Sequence, residues 1–222
     1  RRTQAVARCL RTAAPLSNEL DSAPLRWRML ALLAMSELLG MSLWFAGSAA
    51  APQLQARFAL SGGEVAALTT AVQLGFVAGT ALSALFNLAD IVPARRLFTF
   101  AALSGAVANF PMALDVSVTG LLASRFISGV CLAGVYPPAM KMAATWFKAQ
   151  RGLAAGTVVG ALTVGTAGPY LVHAIPNADV RGVTLVASAS AAIAALLVAA
   201  SSRGGPSPLR PRRSPCAPRG SQ

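Results

Sequence analysis

The chain has 222 residues, of which 55% are hydrophobic and 12% charged, and its formal net charge is +12. A soluble domain carries about 25% charged residues, so this chain lacks the polar surface to coat a globule in water, and lipid must surround much of it. Its basic residues are not a nucleic-acid surface either. They stand at the two ends and in short gaps between apolar runs, rather than interleaved with aromatics on one face.

In chain order, residues 1–26 form a polar tail, expected to be disordered and too polar for the core of a signal peptide. A bilayer-crossing helix needs about 20 mostly apolar residues. Six runs supply them, at 27–51, 65–88, 97–114, 120–145, 153–172 and 182–200. Pro52 is expected to end the first, and Ser61 and Glu64 have the spacing of a capping box at the start of the second. The runs are too long for strands and show no polar alternation. The fold class is therefore an all-α membrane protein with a six-helix domain over 27–200. Residues 201–222, rich in Pro, Arg, Ser and Gly, form a second disordered tail.

Charge sets the orientation. With the N-terminus inside, cytoplasmic segments hold the tail arginines, Arg95 and Arg96, Lys141, Lys148 and Arg151, and Arg203 to Arg219, against Arg57 and Arg181 outside. Both termini are expected in the cytoplasm. The expected location is a bacterial-type inner (plasma) membrane. Cys9, Cys131 and Cys216 form neither a disulfide framework nor a metal motif, and no metal or cofactor is expected.

Ionisable groups inside spans are costly and mark function by default. Glu37 lies about ten residues into the first run, about 15 Å deep at 1.5 Å per residue, near the middle of a core about 30 Å thick. A carboxyl there can exchange a proton as access alternates, or be a protonated structural group. Arg125 enters the fourth run from the outer side. Its permanent charge needs an anion, carbonyls or water, with Glu37 or an anionic substrate as candidate partners and snorkelling to the interface as the alternative. Gln73, Asn109 and Thr163 are polar residues within spans, suited to a substrate or to joining helices. Trp44 and Tyr136 are candidates to line a cavity, with packing against lipid or another helix as the alternative for Trp44.

The fifth run carries Gly152, Gly156 and Gly160 at intervals of four, a face on which another helix can approach closely, then Gly165 and Gly168-Pro169, where a kink is expected. In the short gap between the second and third runs, Asp90 is placed to cap a helix and Arg95 and Arg96 to meet headgroups.

The stretch 86–96, with Asp90, Arg95 and Arg96 at matching places and Phe86, Ile91 and Pro93 departing, resembles the loop signature between helices two and three of the major facilitator superfamily. Arg125 followed by Gly129 resembles that family's helix-four signature, and the glycine-rich fifth run ending in Gly168-Pro169 resembles its fifth helix. The resemblance covers about 27–200, one six-helix half. It implies two three-helix repeats of inverted topology, with helices one and four lining a central cavity. Glu37 and Arg125 fall on those two helices. The resemblance also implies conformational gating at Asp90, Arg95, Arg96, Gly129, Gly168 and Pro169.

The expected function is secondary active transport of a small polar or anionic solute, with protons as the coupling ion. The partners are lipid, the solute, and a second six-helix half or a second copy. The alternatives are a non-transporting scaffold or inactive truncated product, and an intramembrane protease. The protease would need a serine with a histidine in reach, and the one histidine is His173, at the outer end of the fifth run.

Overall fold

The computed structural model describes residues 24–114, 116–147, 150–173 and 179–201. The two expected tails lie almost wholly outside these residues, as do Cys9, Cys216 and Lys148.

Hydropathy makes the spans, and prolines and glycines break them. The first span, Pro24–Ala49, consists of α1 (Pro24–Gly40) and α2 (Ser42–Ala49), interrupted at Met41. Pro52 does not stop the helix as expected. It sits in the first turn of α3 (Ala51–Phe58), where its missing N–H is harmless. The second span is α4 (Gly62–Leu85), opened by the capping box: the Glu64 amide donates to Ser61 Oγ at 3.3 Å and the Ser61 amide to the Glu64 carboxylate at 2.8 Å. The short α5 (Leu88–Ile91) leads to α6 (Ala94–Asn109).

The run expected as a third full span is only 16 α-helical residues long in α6, about 24 Å at 1.5 Å per residue. It continues as a 3-10 turn, Phe110–Ala113. Pro111 has no N–H to donate, and its ring would strike the carbonyl four residues back in a continuing α-helix. Among the described residues, five helices are thus long and apolar enough to cross a bilayer.

The fourth span, Val118–Trp146, contains α7 (Val118–Leu132) and α8 (Tyr136–Trp146), with Pro137 and Pro138 in the first turn after the break. The fifth contains α9 (Arg151–Gly165) and α10 (Gly168–His173), so the expected kink falls where Pro169 enters α10. The sixth is α11 (Val180–Ser201).

The spans pack mainly as second on fourth, first on fifth, first on sixth, third on fourth and third on sixth. Glycines set the closest of these approaches. A Cβ on Gly75 would fall on the Phe126 carbonyl oxygen, and one on Gly129 would fall on that of Val72. A Cβ on Gly165 would fall on the carbonyl oxygen of Leu38. The stripe of Gly152, Gly156 and Gly160, expected to hold a neighbouring helix, faces open space. The close approach belongs to Gly165, one helix face away. Leu74, Val77, Phe100, Val107, Leu171 and Leu196 are exposed on the outside of the bundle, as a lipid-facing surface requires.

Candidate functional site

The breaks in the first and fourth spans meet. A Cβ on Gly40, just before the break at Met41, would stand 3.3 Å from Val135, which lies in the break between α7 and α8. Just beyond these two breaks the chain lines a cavity of about 470 Å³. Its walls are Met41, Trp44 and Phe45 of the first span, Phe76 of the second, Tyr136 of the fourth, and Leu162, Thr163 and Thr166 of the fifth. The Trp44 and Phe76 rings meet edge-on, with centroids 5.1 Å apart and planes at 68°. Trp44, Tyr136 and Thr163, read separately from the sequence, are therefore brought together. Two larger grooves, of about 790 and 570 Å³, run along the outer sides of α4, α6 and α7. Their walls are almost wholly apolar.

Glu37 is fully buried, and neither carboxylate oxygen has a hydrogen-bond partner among the described residues. It stands four residues before Met41, so the two share one face of the first span, and the carboxyl lies one turn beneath the cavity wall. The hydroxyls of Ser36 and Ser128 are likewise buried without a partner.

Arg125 is also fully buried, but it is held. Nη1 donates to the Leu43 carbonyl at 2.9 Å and to Asn109 Oδ1 at 3.4 Å, and Nη2 donates to the Trp44 carbonyl at 2.5 Å. The planar fork of the guanidinium suits this set of acceptors. Gly47 provides the room, since a Cβ there would stand 2.8 Å from Nε. Glu37 is not the partner of Arg125. Leu43 and Trp44 lie six and seven residues beyond it, about 10 Å along the helix, which is too far for contact. Nor does Arg125 snorkel, because carbonyls of the first span receive it inside the bundle.

Asn109 completes the arrangement. Its Nδ2 donates to Ser188 Oγ at 3.2 Å and to the Thr184 carbonyl at 3.5 Å, while its Oδ1 accepts from Arg125. It thereby ties the third, fourth and sixth spans together. Gln73 is exposed and is not among the residues that line the cavity.

Asp90 and Arg95 act at the end of the bundle where α1 begins. Asp90 lies in α5 rather than at a helix cap, and it pairs with Lys141 of α8 at 2.8 Å. Lys141 also donates to the Ala89 carbonyl, and Arg95 donates to the Ala199 carbonyl at the end of α11. Arg96 is exposed. At the same end, Arg26 is enclosed by the rings of Trp27 and Phe147, 4.8 and 4.7 Å away, and donates to Gln150 at 3.0 Å. Gly129 is a packing glycine against α4, and Gly168 and Pro169 open α10.

Sequence reasoning missed Lys141, Phe76, Gly47 and Thr166. Lys141 carried a signal, as a second cation besides Arg125 within the fourth apolar run. The others are ordinary apolar-run residues whose roles come from contacts across spans.

No curated protein matches the chain. The model of the Major Facilitator Superfamily matches residues 32–220, most of the sequence, and the chain belongs to that superfamily.

Proposed function

We propose that the chain forms one six-helix half of a secondary active transporter, which moves a small solute by alternating access and couples that movement to protons. Members of the superfamily are transporters rather than enzymes, which makes transport the starting point. The observation that carries the finer reading is Glu37, an acid without a hydrogen-bond partner among the described residues, fully buried one turn beneath the cavity wall. Burial of an unpaired charge is costly, so this group favours its neutral form until water reaches it. A rearrangement that wets and dries the site would load and release a proton there.

Arg125 takes a positioning role in this scheme. It grips the carbonyls of Leu43 and Trp44 directly after the break at Met41, and so fixes the segment that carries Trp44 into the cavity wall.

The packing supports two inverted repeats. Exchanging spans one, two and three for four, five and six turns the second-on-fourth contact into fifth-on-first, and first-on-sixth into fourth-on-third. All four occur. Under this exchange Gly75 against Phe126 corresponds to Gly165 against Leu38. Glu37 and Arg125, each one residue earlier, then occupy equivalent places. The breaks in spans one and four lie at the cavity, where rocking between repeats would act. The ties made by Lys141, Arg95 and Arg26 gather at one end, the end we assign to the cytoplasm. A second six-helix half, or a second copy, would close the open side of the cavity.

The test is proton movement. Vesicles containing the chain and a lumenal pH-sensitive dye should show a lumenal pH change when a transported solute is added outside. Replacing Glu37 with Gln should abolish the pH change while leaving the protein folded. An unchanged pH response in that variant would remove Glu37 from the coupling.

A further inference from the structure

We infer that the cavity takes an uncharged solute with a flat, ring-bearing apolar body and a hydrogen-bond donor, rather than an anion. The inference rests on reading this cavity as the transport site. Its volume, about 470 Å³, falls within the roughly 300–1,000 Å³ of small-molecule sites.

Four aromatic residues, Trp44, Phe45, Phe76 and Tyr136, contribute to the wall. Trp44 and Phe76 are fixed against each other in an edge-to-face pair. Such rings form a rigid apolar surface against which a ring can stack or tilt. No lining residue carries a charge.

Arg125 is not part of the lining. It directs Nη1 and Nη2 at the carbonyls of Leu43 and Trp44 and at Asn109, and its Nε is buried beside Gly47 without a partner among the described residues. An anion entering the cavity would lose water and find no charged group in the wall, which is costly. A cation would meet aromatic faces but no carboxylate, because Glu37 is not part of the lining.

The polar groups of the wall set the handle. Thr163 donates its hydroxyl hydrogen to the Val159 carbonyl at 3.0 Å, and Thr166 donates to the Thr163 carbonyl at 2.6 Å. Both hydroxyl oxygens keep lone pairs but have no hydrogen left to give. The fifth span therefore offers the cavity two acceptors without a donor, and Tyr136 adds a phenol that can donate or accept. A solute that brings an O–H or N–H matches this wall better than one that brings only acceptors.

The experiment uses the full chain in lipid nanodiscs, with binding measured by equilibrium dialysis against empty nanodiscs. The probes share one bicyclic ring: 1-naphthol, 1-methoxynaphthalene, 1-naphthoate and 1-naphthylmethylammonium. The expected result is saturable binding of 1-naphthol, about tenfold or more tighter than each of the other three. Thr163→Val with Thr166→Val should remove most of the preference of 1-naphthol over its methyl ether, and Phe76→Ala should weaken both. Gly156→Ala, which faces open space, should leave all four unchanged. Tighter binding of the naphthoate or the ammonium probe would overturn the solute class while leaving the cavity as the binding site. Saturable binding that no cavity substitution alters, or no saturable binding of any probe, would overturn both the solute class and the cavity reading. Loss of proton movement in Glu37→Gln is scored separately and bears only on the coupling.

Discussion

The Cβ that Gly47 lacks would stand 2.8 Å from Nε of Arg125 and 3.2 Å from its Cζ. The carbonyls of Leu43 and Trp44, on the same helix, hold the guanidinium against this spot, so an added methyl must break these bonds or push the helix away. Gly47→Ala should therefore destabilise the bundle by about 1–3 kcal/mol, the usual cost of an added methyl in a filled interior. Thermal unfolding in detergent measures this. An unchanged midpoint would mean that Arg125 is not held as described.

Replacing Arg125 tests the same arrangement from the other side. Lysine keeps the charge but offers a compact donor in place of a fork. It cannot span the Leu43 and Trp44 carbonyls and Asn109 Oδ1 at once. Arg125→Lys and Arg125→Met should both lower stability by about 1–3 kcal/mol, with little rescue by lysine. Rescue to native stability by lysine would show that charge alone, rather than the fork, is what the site requires.

The spans, the membrane character and the Ser61–Glu64 capping box were legible in the sequence, because hydropathy over twenty residues and a three-residue spacing are local properties. Glu37 and Arg125 stood out because charge in an apolar run is rare. Their relationship was not legible. Arg125 is received by main-chain carbonyls, and a carbonyl leaves no mark in the residue type that carries it. The Asp90–Lys141 pair joins residues 51 positions apart, which no local pattern encodes. The glycines misled for a related reason. Regular spacing places Gly152, Gly156 and Gly160 on one face, but only the packing decides that this face is open while Gly75, Gly129 and Gly165 carry the close approaches.

That contrast makes a paired prediction. Gly75→Ala places a methyl on the Phe126 carbonyl oxygen, and the second and fourth spans must separate to admit it. The expected cost is about 1–3 kcal/mol. Gly156→Ala meets nothing within 4 Å, and it should be neutral or stabilising by up to about 1 kcal/mol through helix propensity. Unfolding midpoints of the two variants under one condition decide the matter. Equal effects would contradict the packing between α4 and α7.

The Asp90–Lys141 pair calls for a different measurement, because static stability reports it poorly. The Asp90 side chain is 79% exposed, and ion pairs of that kind contribute at most about 1 kcal/mol and weaken with salt. Asp90→Asn should therefore shift the unfolding midpoint little. The pair nevertheless joins α5 to α8, and Lys141 also bonds the Ala89 carbonyl. In the proposed cycle it holds the loop between the second and third spans against the fourth. Lys141→Gln should then alter transport rate more than stability, and more than Asp90→Asn does, because it removes the carbonyl bond as well as the charge. Exchanging the two residues restores attraction but not the bond to Ala89, since an aspartate at 141 has nothing to donate. Only partial recovery of rate is expected from the exchange. Full recovery would show that charge alone holds the loop, and identical rates in all variants would show that it plays no part in the cycle.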